Sequence, residues 1–315
     1  MSTPPTEPTS PSRRPLQGFG SRAYAHALAE FGTPGQLARS GGWYLRRAIP
    51  GAAEWDGLGN YPFFMCEDWS GLAEDLAEAG RDLVSFAAVP DPFGAYDVEL
   101  LRRAFPDVCV HFKDHFVADL SRPADEFISS HHRLYARKAL QQVTVEFTTA
   151  PLPYLDRWMA LFGLAVQKFQ ITGLRAYSRE SFARQFAVEG VVMSLARFRD
   201  EIVAMHVQYM DGDVAFAHMA ASNQTGYKVG AAYALYDAEI RYFAGKVRWL
   251  DWGGEPGVAP GSKGLSSFKA GWSTGTKPAY FCGRIFQPAR YQQLAESKGA
   301  LGVKYFPAYR QGELG

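Results

Sequence analysis

Lys269 and Asp251 are the side chains whose setting most directly suggests chemistry. Both lie in the stretch 248–273. There Leu250, Asp251, Trp252, Gly253 and Gly254 are followed by a run rich in Gly and Pro, and then by Gly264, Leu265, Ser266, Ser267, Phe268, Lys269, Ala270, Gly271 and Trp272. Residues 247–252 alternate large apolar with polar side chains, which predicts a short buried strand. Gly253 and Gly254 stop it, and residues 255–264 carry enough breakers to form a loop. Leu265, Phe268 and Trp272 then fall at i, i+3 and i+7, one apolar face of a short helix. A strand, a glycine break and a helix carrying a cation beside an aromatic outline an acyl-transfer site. A lysine ammonium beside a developing oxyanion stabilises it through charge, most effectively where water is excluded. The alternative for Lys269 is a solvated helix lysine. Asp251 faces away from Leu250 and Trp252. It accepts a proton, orients the glycine loop, or caps it. Gly253 and Gly254 permit close backbone approach.

Amine acylation also needs a base. His206 and His218 lie on neighbouring expected strands, and imidazole titrates near neutral pH. Each is flanked by Met or Ala residues, so a satisfied core histidine is the competing reading. His131 and His132 lie on a helix and read as a solvated face. Arg133, Arg137 and Lys138 crowd the same helix, with Arg133 and Arg137 at i, i+4. They suit a phosphorylated acceptor or a nucleic-acid backbone, or simply form a charged outer face. No His, Cys or Asp spacing resembles a metal site.

The elements that must position these residues are legible as an order. Helices are expected over 22–38, 69–79 and 96–105, with strands over 82–89 and 108–120 and a turn at Pro90–Gly94. A helix over 121–140 has Ser121 as cap, Pro123 in its first turn and acidic residues at its positive end. A strand over 143–148 follows, then helices over 155–169 and 178–186. Three antiparallel strands at 192–198, 202–210 and 214–221 come next, the last two joined by Asp211-Gly212-Asp213, a hairpin signal. A loop over 225–230, a helix over 231–243, the strand at 247, the Lys269 helix and a strand over 278–286 complete the series. Residues 287–310 read as irregular and aromatic.

This order resembles that of the GNAT acyltransferase fold, and two segments sharpen the resemblance. Asp119, Leu120, Arg133, the run Ala136-Arg137-Lys138-Ala139-Leu140 and Val143 look like a Fem-type "DL…R…RKA…V" segment. Asp251, Gly253 and Gly254, followed by Gly264, Leu265, Phe268, Lys269 and Trp272, look like "DxGG…GLxxFKxGF". The chain resembles the FemABX-like and BioF2-like branch of that superfamily, over residues 119–286. The resemblance implies an α/β protein of tandem GNAT-like domains, with mixed central sheets flanked by helices. The expected division is a disordered tail over 1–20, a degenerate first domain over 21–118, a second domain over 119–290 and a C-terminal tail over 291–315. It implies that Lys269 works near the reacting acyl group, beside Phe268. The usual phosphate-binding signal of the superfamily maps onto Tyr227–Ala232, where Gly230 and Ala232 fit, Tyr227 replaces Gln or Arg, and Lys228 is placed to meet a phosphate. No sustained heptad is present, unlike the coiled-coil arm of some Fem members.

The implied activity is transfer of an aminoacyl group, from aminoacyl-tRNA as co-substrate, to an amine of a peptidoglycan precursor or peptide-like metabolite, forming an amide bond. The alternative is an acyl-CoA-dependent acyltransferase acting on an amino sugar or exopolysaccharide precursor. A third reading is a non-catalytic binding module of the same fold. No bound cofactor is expected. Composition sets outer bounds. The 315 residues carry a formal net charge of +1, so no bulk field recruits nucleic acid or membrane. Three scattered cysteines, Cys66, Cys109 and Cys282, suit a reducing cytoplasmic setting rather than a disulfide framework. No apolar run approaches the ~20 residues of a membrane span.

Overall fold

The computed structural model describes residues 15–254 and 263–313. The expected loop at 255–264 therefore lies largely outside the described residues, as does most of the expected N-terminal tail. Eleven strands form one continuous sheet among the described residues. In chain order they are β1 (Thr33–Gln36), β2 (Trp43–Ala48), β3 (Trp55–Gly59), β4 (Ser85–Ala88), β5 (Val108–Asp119), β6 (Val143–Thr148), β7 (Val191–Phe198), β8 (Glu201–Asp211), β9 (Val214–Ser222), β10 (Trp249–Asp251) and β11 (Gly275–Ile285). Their order across the sheet is β1-β2-β3-β4-β11-β5-β10-β9-β8-β7-β6.

The order contains one pattern twice. β2 and β3 are antiparallel, β3 and β4 parallel, β4 and β11 antiparallel. Likewise β8 and β9 are antiparallel, β9 and β10 parallel, β10 and β5 antiparallel. The last strand of each unit is exchanged. β5 comes from the first half of the chain and completes the second unit, while β11 comes from the end and completes the first. β5 and β11 then pair with each other and join the units. β5 carries the chain across residue 118, where the sequence suggests a division.

Side chains alternate between two apolar layers, as strand geometry requires. Met193, Leu195, Val207, Tyr209 and Phe216 pack with Phe19, Tyr24, Phe63, Trp158, Phe162 and Phe182. Val192, Ala215, Leu250 and Trp252 face the other way, against Tyr236, Phe243 and Trp272. The helices Leu155–Phe169 and Arg179–Gln185 contribute to the first layer, and Ala231–Phe243 to the second.

Several expectations are corrected. The helix expected over 22–38 stops at Ala27, and Thr33–Gln36 is an edge strand. An edge tolerates Pro34, which has no N–H to donate. The hairpin β2–β3 is absent from the expected elements. The helix expected over 121–140 is split into Ala124–Phe127 and Ser130–Leu140, because Ser129 accepts from His132 N–H and starts a new helix. Part of the loop expected over 225–230 is a helical turn, Gln224–Lys228, capped by Asn223. Leu16 to Gly20 do not trail away, since Phe19 is fully buried. The C-terminal residues are not irregular throughout. Pro288–Ser297 is a helix, and buried Arg310 donates to Asp56 Oδ1 at 3.1 Å while Arg47 donates to the same atom at 3.2 Å.

Candidate active site

β9 and β10 run parallel only from Val214 with Trp249 to Phe216 with Asp251. Beyond that point β10 ends, and Gly253, two residues on, has a φ of +74° that suits glycine. β9 continues to Ser222, paired with β8 alone. The sheet therefore opens at the carboxyl ends of two parallel strands, a position where α/β sheets place ligands. A cavity of about 240 Å³ fills the opening. Ala217, His218 and Met219 line it from β9, and Trp252, Gly253, Gly254 and Lys269 from the β10 side.

Two irregularities in the sheet shape this cavity. The β8–β9 register runs from Val207 with Met219 to Gln208 with Ala217, so His218 is the extra residue of a bulge. The β5–β11 register runs from Ala279 with Lys113 to Tyr280 with His111, so Phe112 is the extra residue of a second bulge. Both extra residues line the cavity. A bulge re-aims a side chain that regular alternation would place elsewhere.

Lys269 is on the helix Lys263–Ala270, is 9 % exposed, and donates to the carbonyl oxygen of Gly254 at 2.7 Å. Asp251, 1 % exposed, accepts from Gly253 N–H at 2.7 Å. Its carboxylate also holds His115, whose Nδ1 lies 2.9 Å from Oδ2 and 3.1 Å from Oδ1. His115 lines the cavity from β5, next to Phe63, with ring centroids 5.2 Å apart. Gly253 and Gly254 thus connect a buried carboxylate–imidazole pair to a buried ammonium. Lys113 also lines the cavity. Burial holds its pKa below the usual lysine value, and neighbouring Arg175 adds to this while Asp251 opposes it.

The structure brings together Lys269, Asp251, Gly253, Gly254 and His218 from the residues expected on sequence. It places the others elsewhere. His206 is buried on the side covered by the helix Ala231–Phe243, with Nδ1 3.0 Å from Glu239 Oε1 and its ring stacked on Tyr236. It is not among the cavity residues. Phe268 packs against Tyr236, Tyr233 and Trp272. Arg133 donates to the carbonyl oxygens of Asp125 and Ile128 at 2.6 and 2.5 Å, tying the two short helices together. Arg137 and Lys138 are exposed beside it. Lys228 and Gly230 precede the helix Ala231–Phe243, where Gly230 has φ +70° and provides no side-chain cap. A Cβ at Gly230 would lie 3.6 Å from Ala139, so this helix start and the basic helix are neighbours.

His218 is held differently from His115. Its Nε2 lies 3.0 Å from Gln185 Oε1, and burial lowers its pKa to about 3. His115, Phe112, Lys113 and Arg175 are not among the residues expected on sequence. His115 is separated from Asp251 by 136 positions, and no short-range spacing signals the pair. Among the described residues, no cluster of three or more His, Cys, Asp or Glu side chains could hold a metal ion. No helix of the described residues is long and apolar enough to cross a membrane.

No protein-family model matches the sequence, and no curated protein matches it. Solved structures do. The chain is similar to FemX at TM-score 0.64 and 12 % identity, with 87 % of this chain and 94 % of that one covered. It is similar to the C-terminal domain of a putative lysylphosphatidylglycerol synthetase from Agrobacterium fabrum, at TM-score 0.60 and 14 % identity, covering 89 % and 94 %. L-PGS from Bacillus licheniformis gives TM-score 0.54 and 15 % identity, covering 86 % and 94 %. The chain has the FemX-like, GNAT-type α/β fold.

Proposed function

We propose that this chain is an acyltransferase of the Fem type. It moves an aminoacyl group from aminoacyl-tRNA to an amine of a peptidoglycan precursor or peptide-like metabolite, with amide bond formation. The observation that carries this reading is the buried Lys269 ammonium on Gly254, at the cavity where β9 and β10 part. An amine attacking an acyl carbon drives the carbonyl electron pair onto oxygen. A fixed ammonium at the cavity wall stabilises that charge with little reorganisation. The likeness to FemX supports the choice of this chemistry over others that the fold accommodates. Exposed Arg137 and Lys138 offer the phosphate backbone of a tRNA a contact next to the Gly230 helix start.

The test is intact-mass analysis of candidate amine acceptors, incubated with charged tRNA or with acyl-CoA. Transfer from charged tRNA should be ribonuclease-sensitive and fall steeply with salt, because each neutralised phosphate releases counterions. Robust, ribonuclease-insensitive transfer from acyl-CoA would replace this reading by the second one, a CoA-dependent enzyme acting on an amino sugar or exopolysaccharide precursor. One observation favours that alternative. Gly230 opens a helix without a side-chain cap, and first-turn N–H groups suit a pyrophosphate.

A further inference from the structure

His115 is 3 % exposed and lines the cavity, and its Nδ1 is held by Asp251. Its other ring nitrogen, Nε2, is buried and has no hydrogen-bond partner among the described residues. Folded chains rarely leave a buried polar atom unpaired, so such an atom beside a cavity calls for a partner that arrives from outside. The two other histidines on this part of the sheet, buried His206 and half-buried His218, do not offer the same group. His218 Nε2 is engaged by Gln185, and burial makes its imidazole a weak base. His206 is bound to Glu239 and does not line the cavity.

We propose that His115, oriented by Asp251, is the general base for the attacking amine. The assignment rests on the acyl-transfer reading above and names the group that reading leaves open. Asp251 accepts from Nδ1–H, which leaves the Nε2 lone pair as the basic site. The amine lone pair forms the new C–N bond, and the carbonyl π pair moves to oxygen beside Lys269. Nε2 takes the proton from nitrogen, and Asp251 stabilises the resulting imidazolium. The oxyanion then re-forms C=O and expels the leaving group, the ribose oxygen of a charged tRNA or the sulfur of a thioester, which receives that proton. A positioned base of this kind contributes ~10²–10⁴-fold. The charged and titratable groups around the dyad come from several elements: Lys113 on its own strand, Lys277 opposite on β11, His218 on β9, Lys269 on its helix, Arg175, and Asp91, whose carboxyl couples to Asp251.

Two readouts test this. The first needs no substrate. Diethyl pyrocarbonate acylates a neutral imidazole nitrogen that it can reach, and peptide mass mapping locates the label. His115 should be labelled, and a soaked alkylamine such as lysinamide should protect it, with exposed His131 labelled regardless. Labelling of His131 without His115 would overturn the assignment, because a base closed to small molecules cannot serve an amine. The second readout is the transfer rate. His115→Gln should lose ~10²–10⁴-fold in kcat while melting as a folded protein, and imidazole should restore part of the rate to His115→Ala. Wild-type rates in His115→Gln would overturn the assignment and leave acyl transfer standing. A wild-type chain that transfers from neither donor would instead remove the acyl-transfer reading, and the base assignment with it, whatever the labelling shows.

Discussion

Asp251 joins the two sides of the candidate site by holding His115 through one face of its carboxylate and the N–H of Gly253 through Oδ1. The next glycine, Gly254, accepts from Lys269 at 2.7 Å. A strand end, a two-glycine break and a helix therefore link a base-type and a cation-type group through hydrogen bonds. Sites built on such elements keep their geometry better than sites on loops.

Lys269→Met should fold and lose most of its turnover. One donor at a developing oxyanion is worth about 3–4 kcal/mol, or ~10²–10³-fold in kcat. The apolar stem that packs at the cavity wall is largely retained. Paired measurements of kcat and thermal midpoint check this, and unchanged turnover would remove Lys269 from the mechanism.

His218 should make stability fall on the acid side. Its folded-state pKa is about 3, against about 6.5 for an unfolded histidine. Between these values the unfolded chain binds the proton and the folded chain does not, so acid favours unfolding. The contribution is fully present above pH ~6.5 and is lost as pH falls toward 3. His218→Asn should flatten that part of a curve of urea midpoint against pH. An unchanged slope would place the titration elsewhere.

Phe19 is fully buried among Tyr24, Phe63, Tyr209 and Phe216. Phe19→Ala should cost about 3–5 kcal/mol, the range for emptying an aromatic site in a core. Urea denaturation reads this directly. A loss below ~1 kcal/mol would show that the segment contributes little packing.

A chain beginning near Leu120 should be inactive. It lacks β5, and with it His115, Phe112 and Lys113 from the cavity wall. It also leaves β10 without its antiparallel neighbour and β11 without both of its partners. Transfer at full rate from that fragment would show that the first half is dispensable.

Arg133 and Arg137 should separate in their effects. Arg133→Ala removes donors from two carbonyls and should destabilise by ~1–3 kcal/mol. Arg137→Glu, on the exposed face, should leave the thermal midpoint nearly unchanged and weaken transfer from charged tRNA, with a shallower salt slope. Equal losses of stability in both variants would contradict this assignment of roles.

Much of the fold was legible because local rules act over a few residues. The helices Leu155–Phe169 and Ala231–Phe243 follow an apolar stripe, and β6 to β9 follow alternation and turn residues. Lys269, Gly253, Gly254 and Asp251 were legible for the same reason, since they share one short stretch. Weak local signals were overridden where neighbours decided. Thr33–Gln36 became a strand because β2 offered an edge, and Phe19 left the expected tail because a core was there to receive it. The exchange of β5 and β11 depends on pairing between residues far apart in the chain, which no window of sequence contains. His115 was invisible for that reason. Its chemistry comes from a carboxylate 136 positions away. His206 had the same residue type and strand setting, and pairing with Glu239 under a helix took it out of the cavity. Side-chain type and local period depend on neighbours along the chain, but which face a histidine shows, and to whom, depends on strand register, bulges and the helix that covers it.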